Sequence, residues 1–316
     1  MRILANDGIS QAGIDALKSN GFEVLTVNVA QNQLIDYINK HTISALLVRS
    51  ATEVRKDIID QCPGLKLIGR GGVGMDNIDV AYAEEKGVHV INTPEASSES
   101  VAELVFAHLY GAVRFLYDSN RNMPLDGDSR FKDLKKDYSS GSELKGKTLG
   151  IIGFGKIGQA TAKIALGVGM NVLYHDSEIE ETSISLNFYD GQTINFNLKN
   201  NSKEAVLKSA DFITLHVPKQ KAYVIGKSEF GLMKDGVGII NTARGGALDE
   251  VALIDAMESR KVAFAGLDVY ESEPKPEIKI LMHPDISLTP HIGAATKEAQ
   301  DRIGVELATK ISSLLK

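Results

Sequence analysis

The chain has 316 residues, a formal net charge of −6, 43% hydrophobic and 24% charged residues. That length suits two domains of ordinary size, and that composition belongs to a globular protein. With no basic block, nucleic acid and anionic membrane surfaces are excluded as expected partners. Cys62 is the only cysteine, so neither an intrachain disulfide nor a cysteine-based metal site is possible, and no metal is expected. No apolar run reaches the ~18 residues of a membrane helix. Met1 leads directly into a strand-like run with no signal-peptide pattern, so a cytoplasmic protein is expected.

Residues 1–92 alternate short apolar runs with helical patterns. Strands are expected at 2–5, 22–27, 45–48, 67–69 and 88–92, and helices at 10–20, 34–39, 56–61 and 80–86. Gly21 and Pro63-Gly64 supply stops. Such alternation implies a parallel sheet with crossover helices. Pro94 interrupts it. A long helix is then expected over about 99–117, opened by Ser100-x-x-Glu103 as a capping box. Residues 120–146 are polar and read as a surface excursion. A second α/β unit follows, with strands expected at 149–152, 171–174, 211–217, 237–241, 262–267 and 286–288. Helices are expected at 157–166, 203–209, 228–233, 249–259 and 296–315. The polar tract 177–202 reads as loop with a short strand at 193–198.

The second unit opens with Gly153-Phe-Gly155-Lys156-Ile157-Gly158, between an apolar run and a helical pattern. Asp176 ends the next strand. Each part suits a dinucleotide: Gly153 for the tight turn, Gly155 for close approach of a pyrophosphate, Gly158 for helix–strand packing. The helix N-terminus offers N–H groups to the phosphates. Asp176 can accept from the ribose hydroxyls and would repel a 2′-phosphate, which points to NAD rather than NADP.

Three later strand ends carry chemistry: Asn241-Thr242-Ala243-Arg244, Leu267-Asp268 leading to Glu273-Pro274, and Thr289-Pro290-His291-Ile292-Gly293. Each follows an apolar run and so falls at the carboxyl edge of a parallel sheet, where open α/β sheets bind ligands. Hydride transfer to a 2-keto acid needs a cation for the carboxylate and a proton donor for the carbonyl oxygen. Arg244 suits the first task because its planar fork binds carboxylates bidentately. His291 suits the second because imidazole titrates near neutral pH, and Glu273 is the acid expected to hold it. Alone, an Arg beside two glycines is often a solvated loop residue, and a His after Pro is often a turn residue. Together, after a dinucleotide motif, they support one another. His216, before Val217 and Pro218, is expected to line the cofactor cleft by its backbone, and His108 to be packed within its helix. In the first unit, Arg49 and Ser50 end one strand and Gly72-Val73-Gly74 follows another, a run of N–H groups able to cradle an anion.

In these motifs the chain resembles the D-isomer-specific 2-hydroxyacid dehydrogenase family. The resemblance rests on GRGGVGMDNIDV (69–80), SVAEL (100–104), GKTLGIIGFGKIG (146–158), HVP (216–218), NTARGGALDE (241–250), GLDVYESEP (266–274) and TPHIGAAT (289–296). It implies two doubly wound parallel-sheet domains, an NAD-binding Rossmann domain at 97–288 inserted into a flavodoxin-like substrate domain at 1–96 and 289–316. Arg244 would bind the substrate carboxylate, His291 would be the acid/base and Glu273 its partner. Lys156, Ile157, His216, Val217, Pro218, Thr242, Ala243, Asp268 and Gly293 would join the glycines and Asp176 around NAD, Asp268 lying near the nicotinamide. Gly72, Val73 and Gly74 would meet the carboxylate, and Arg49 and Ser50 would lie near a phosphate.

Within the family, VRSAT (48–52) and HIGAATKEAQ (291–300) are most similar to the phosphoglycerate dehydrogenase branch. That implies oxidation of 3-phospho-D-glycerate to 3-phosphohydroxypyruvate, the first step of serine biosynthesis, by a homodimer joined through its cofactor domains. The chain ends at Lys316, so no serine feedback through an appended regulatory domain is expected. The alternatives are a reductase of glyoxylate, hydroxypyruvate or a larger keto acid, and a non-catalytic NAD-sensing binding protein.

Overall fold

The computed structural model describes residues 1–315, which form two compact units. One comprises Met1–Ser100 and the stretch from Ala294, the other Val101–Gly293. Lys316, the last residue of the expected return segment, lies outside the described residues. The second boundary falls after Gly293 rather than before residue 289, so His291 belongs with the unit that carries Arg244 and Glu273.

The first unit has five strands: β1 (Arg2–Ala5), β2 (Glu23–Leu25), β3 (Ile43–Val48), β4 (Leu67–Arg70) and β5 (His89–Asn92). All are parallel, in the flavodoxin-like order β2-β1-β3-β4-β5. Strand side chains alternate between faces. Leu4, Leu46, Val48 and Ile68 therefore pack on Leu34, Ile38, Ile58 and Cys62 on one side. Ile3, Ala5, Ala45, Leu47 and Leu67 pack on Leu17, Ile303, Leu307 and Ile311 on the other. The last three belong to the terminal helix Lys297–Leu314, which crosses helix Gln11–Ser19 so closely that a Cβ on Gly13 would lie 2.7 Å from the Gly304 Cα.

The second unit continues with β6 (Thr148–Ile152), β7 (Asn171–His175), β8 (Glu181–Asn187), β9 (Thr193–Lys199), β10 (Phe212–Leu215), β11 (Val237–Asn241), β12 (Val262–Leu267) and β13 (Ile286–Leu288). Six of these form a parallel sheet in the order β13-β12-β11-β10-β6-β7. From β6 the chain steps outward to β7, then returns past β6 to β10. The switch point therefore lies at the carboxyl ends of β6 and β10, where such sheets take their ligands.

Two stretches differ from the sequence reading. The polar tract after Asp176 is a full antiparallel hairpin, β8 with β9, attached to the edge of β7 by a single bridge from Tyr174 to Asn200. The strand expected at 193–198 is β9; its partner β8 was read as loop because it carries two apolar residues, Ile184 and Leu186, among five polar ones. The expected long helix stops at Val113. Phe115 takes a left-handed φ of 53°, and separate helices follow at Leu116–Asp126 and Phe131–Asp137, so the supposed excursion is largely helical. The first helix also begins at Ser98, where the Ser98 hydroxyl donates to the Pro94 carbonyl, so Ser100 sits within it rather than capping it.

Candidate active site

The glycine turn follows β6, and its three glycines have three separate physical reasons. Gly153 has φ +90°, and a Cβ there would lie 2.5 Å from the His216 carbonyl oxygen. A Cβ on Gly158 would lie 2.3 Å from the Gly153 carbonyl oxygen, so helix and turn touch backbone to backbone. Gly155 is exposed with nothing within 4 Å of its Cβ position, at the N-terminus of helix Lys156–Gly167. Open space in front of a helix N-terminus is what a pyrophosphate requires, and the site fits a dinucleotide. Lys156 is exposed and Ile157 is partly so.

Asp176 holds this turn from the end of β7. One carboxylate oxygen accepts the Phe154 N–H at 2.6 Å, and the other accepts those of Glu178 at 2.9 Å and Ile179 at 3.2 Å. Burial disfavours its charge, but the three backbone donors outweigh that and hold it below the usual carboxylate range. A carboxylate has about four lone-pair sites, so roughly one remains for a ribose hydroxyl. Phe154 stacks on Tyr174 beneath it, centroids 3.8 Å apart.

His216 touches Gly153 through its carbonyl, and Val217 Cγ1 also flanks Gly153, with Pro218 exposed beyond them. The imidazole adds what the sequence did not disclose. Nε2 lies 3.0 Å from Thr214 Oγ1 and 3.3 Å from Thr161 Oγ1, while Nδ1 is shielded with no partner among the described residues. Burial pushes the ring down to about 3, so the folded protein keeps it neutral. Because the folded value lies below the unfolded one, stability is complete above pH ~6.5 and falls as acid protonates the unfolded chain alone. Unfolding free energies from urea titrations between pH 7 and pH 4 should drop by up to about 1.4 kcal/mol per pH unit for this group, and His216→Gln should flatten the slope. An unchanged slope in the variant would refute the assignment.

Arg244 follows β11 in a turn organised by Asn241. The Asn241 amide donates to the Arg244 carbonyl at 2.9 Å, and its oxygen accepts the Ala243 N–H at 3.1 Å. Asn241 stood in a quoted motif with no role, and only the turn reveals one. Gly245 lies flat on the next loop, where a Cβ would be 1.9 Å from the Tyr270 carbonyl oxygen. The Arg244 Nη1 donates to the Ala243 carbonyl at 2.6 Å. Thr242 is buried, and its hydroxyl has no partner among the described residues.

Glu273 accepts the Tyr270 N–H on one oxygen at 3.0 Å and meets His291 Nδ1 with the other at 2.9 Å. Burial raises Glu273, but His291, the Tyr270 N–H and the Arg244 charge overcome this and lower it. The geometry assigns the Nδ1 proton to the His291–Glu273 bond and leaves Nε2 with no partner among the described residues. His291 itself takes φ +55°.

Asp268, 1% exposed, does not present a free carboxylate. One oxygen accepts the Thr289 hydroxyl at 2.6 Å and the Ile292 N–H at 2.8 Å, and the other accepts the Gly293 N–H at 2.9 Å. Its backbone carbonyl accepts the His291 N–H at 2.9 Å. Asp268 is thus the anchor of the loop carrying His291, a role the sequence did not suggest.

The other five candidates lie in the first unit. Arg49 and Ser50 follow β3, and Gly72, Val73 and Gly74 follow β4. Gly72 N–H donates back to the Arg70 carbonyl at 3.0 Å, so it is not open to an anion, whereas Val73 is exposed. Arg49 lines a depression of about 450 Å³ with Ser10, Thr296, Lys297, Gln300 and Asp301. Among the described residues, no group of three or more His, Cys, Asp or Glu could hold a metal, and no helix is long and apolar enough to cross a membrane.

Residues 106–293 match the family described as D-isomer specific 2-hydroxyacid dehydrogenase, NAD binding domain. A hydroxypyruvate reductase of Thermotoga maritima is 41% identical over 98% of this chain and 97% of its own. A D-3-phosphoglycerate dehydrogenase of Bacillus subtilis is 38% identical over 100% of this chain, which spans only 57% of that relative. A solved glyoxylate reductase from Paecilomyes thermophila is 31% identical, covers 100% of this chain and 95% of its own, and superposes with a TM-score of 0.81. The chain belongs to the D-isomer specific 2-hydroxyacid dehydrogenase family. It is a D-2-hydroxyacid dehydrogenase that uses a nicotinamide cofactor.

Proposed function

We propose that this dehydrogenase oxidises 3-phospho-D-glycerate to 3-phosphohydroxypyruvate with NAD, as a step toward serine, and works as a cytoplasmic homodimer. The observation that carries the phosphorylated substrate is Arg49. Its guanidinium has no hydrogen-bond or ion-pair partner among the described residues, and it shares its depression with Lys297 and the N-terminus of the 18-residue helix Lys297–Leu314. Two cations beside helix N–H groups suit a phosphate dianion. Exposed Tyr110, Leu116, Met123, Leu125 and Phe131 on the helices of 98–137 support self-association.

A nicotinamide cofactor held at the turn of Gly153, Gly155 and Gly158 would supply hydride chemistry at substrate C2. His291 takes the hydroxyl proton at Nε2 in oxidation and returns it in reduction. Glu273 keeps the Nδ1 proton and steadies the imidazolium that forms. Arg244 grips the carboxylate through its planar fork. Asp176, with its remaining lone pair, selects the ribose diol over a 2′-phosphate.

A second reading, reduction of hydroxypyruvate, is favoured by the Thermotoga relative, which matches in length as well as identity. The two substrates differ only by a phosphate, so Arg49 separates them. NADH oxidation on a panel of keto acids should favour phosphohydroxypyruvate. Arg49→Ala should raise its KM by about 10–100-fold and leave hydroxypyruvate nearly unaffected. Equal turnover of both substrates by the parent enzyme would establish the second reading, and inactivity on every acid would favour the non-catalytic one. The same panel run with NADPH tests Asp176, since equal rates would remove its proposed selectivity.

A further inference from the structure

We propose that His108, deep in helix Ser98–Val113, is a positioning residue for the reaction: acting through Thr289 and Asp268, it holds the loop that presents His291. The inference rests on the acid/base reading of His291 given above.

His108 is 3% exposed, on the same helix as the buried Val105, Phe106 and Leu109. Room for its ring comes from β12, where a Cβ on Gly266 would lie 2.8 Å from the His108 Cβ. Both ring nitrogens face hydroxyls: Nδ1 lies 2.7 Å from Ser287 Oγ, and Nε2 lies 3.1 Å from Thr289 Oγ1. Thr289 has one hydroxyl proton, and it goes to the Asp268 carboxylate at 2.6 Å. The Thr289 oxygen can therefore only accept from His108, which puts the proton on Nε2. Nδ1 is then bare and accepts from Ser287. Burial lowers the imidazole, against an opposing pull from Asp268, and so favours the neutral ring this pattern needs.

The three hydrogen bonds run in one direction, from Ser287 through His108 and Thr289 to Asp268, and bonds so aligned reinforce one another. At its end Asp268 takes the N–H groups of His291, Ile292 and Gly293, through its carbonyl and both carboxylate oxygens. The left-handed φ of 55° at His291 is a conformation that persists where its surroundings over-determine it. Remove His108, and Thr289 loses the donor that turns its hydroxyl toward Asp268.

Two measurements test this. In enzyme labelled with ¹⁵N-histidine, long-range ¹H–¹⁵N correlation at pH 7 should show His108 neutral with the proton on Nε2. A proton on Nδ1, or on both nitrogens, overturns the proposal without reference to turnover. In kinetics, His108→Leu and Thr289→Val should each lower kcat by about 10–100-fold, the scale of a misplaced acid/base, with KM for NAD within about 2-fold. The double variant should be no worse than the poorer single one, and His108→Gln, which offers an amide N–H and a carbonyl in place of the two ring nitrogens, should recover most of the rate. A merely structural histidine would lower the melting temperature and leave kcat alone; that result, or fully additive defects, overturns the proposal. Thr289→Val and His108→Gln carry the test if His108→Leu does not fold. His291→Asn separates the two failures. Near-normal turnover there sinks the acid/base reading and this proposal with it, whereas loss there beside wild-type turnover in His108→Leu sinks this one alone.

Discussion

Asparagine in place of His291 is expected to lower kcat by about 10²–10⁴-fold and to leave KM for NAD within about 3-fold. Asparagine is the informative replacement because it tolerates the left-handed backbone found here, φ 55°, where a β-branched residue would not. The loop should survive, since its bonds to Asp268 are made by backbone N–H groups. What disappears is an imidazole whose Nε2 has no partner among the described residues and whose Nδ1 lies 2.9 Å from Glu273. That arrangement keeps the proton on Nδ1 and, in the proposed mechanism, leaves Nε2 for the substrate hydroxyl. Glu273 is held below its ordinary range, so it remains charged across neutral pH and as pH falls into the mildly acidic range. Glu273→Gln should therefore cost less than His291→Asn, since an amide oxygen still orients the ring but does not balance its charge. Steady-state rates in both directions measure this, and turnover within tenfold of the parent would remove His291 from the mechanism.

Arg244→Gln is expected to lower kcat/KM for the keto acid by about 10²–10³-fold with KM for NADH nearly constant. The loss should appear in both kcat and KM, because the proposed carboxylate grip would both bind the substrate and align it. Arg244→Lys should recover only a small part, as an ammonium cannot offer two parallel N–H donors. The turn should hold in either variant. It is built by the Asn241 amide and by the close seating of Gly245 on the Tyr270 backbone, neither of which uses the guanidinium. Isothermal titration with oxalate, an inert dicarboxylate, provides a check free of turnover: undiminished affinity in Arg244→Gln would exclude it from the carboxylate site.

Much of this protein is legible in its sequence. Alternating strands and helices announced both parallel sheets, because a parallel strand buried on both faces must be a short continuous apolar run. Gly153 and Gly158 were legible for a similarly local reason: a Cβ at either position would lie 2.3–2.5 Å from a backbone carbonyl oxygen, so the residue type records the close approach. Arg244, Glu273 and His291 were found by their place after apolar runs, and the fold brings all three to the carboxyl edge of one sheet. Strand β8 and the break at Phe115 were missed because one has two apolar residues among five polar ones and the other is a backbone choice at a residue with no turn preference.

Sequence alone determined what depends on local backbone and on residue chemistry: two α/β sheets, a dinucleotide turn, a cation, an acid and a histidine at strand ends. Tertiary structure decided what depends on which atoms meet. Asp268 anchors the histidine loop, Asp176 spends three of its lone pairs on backbone N–H groups, and Asn241 shapes the turn of Arg244. It also gave His108 partners on β13 and on the loop beyond it, at Ser287 and Thr289. A side chain's hydrogen-bond partners are set by strand order and helix packing, and those bring together residues with no fixed spacing along the chain.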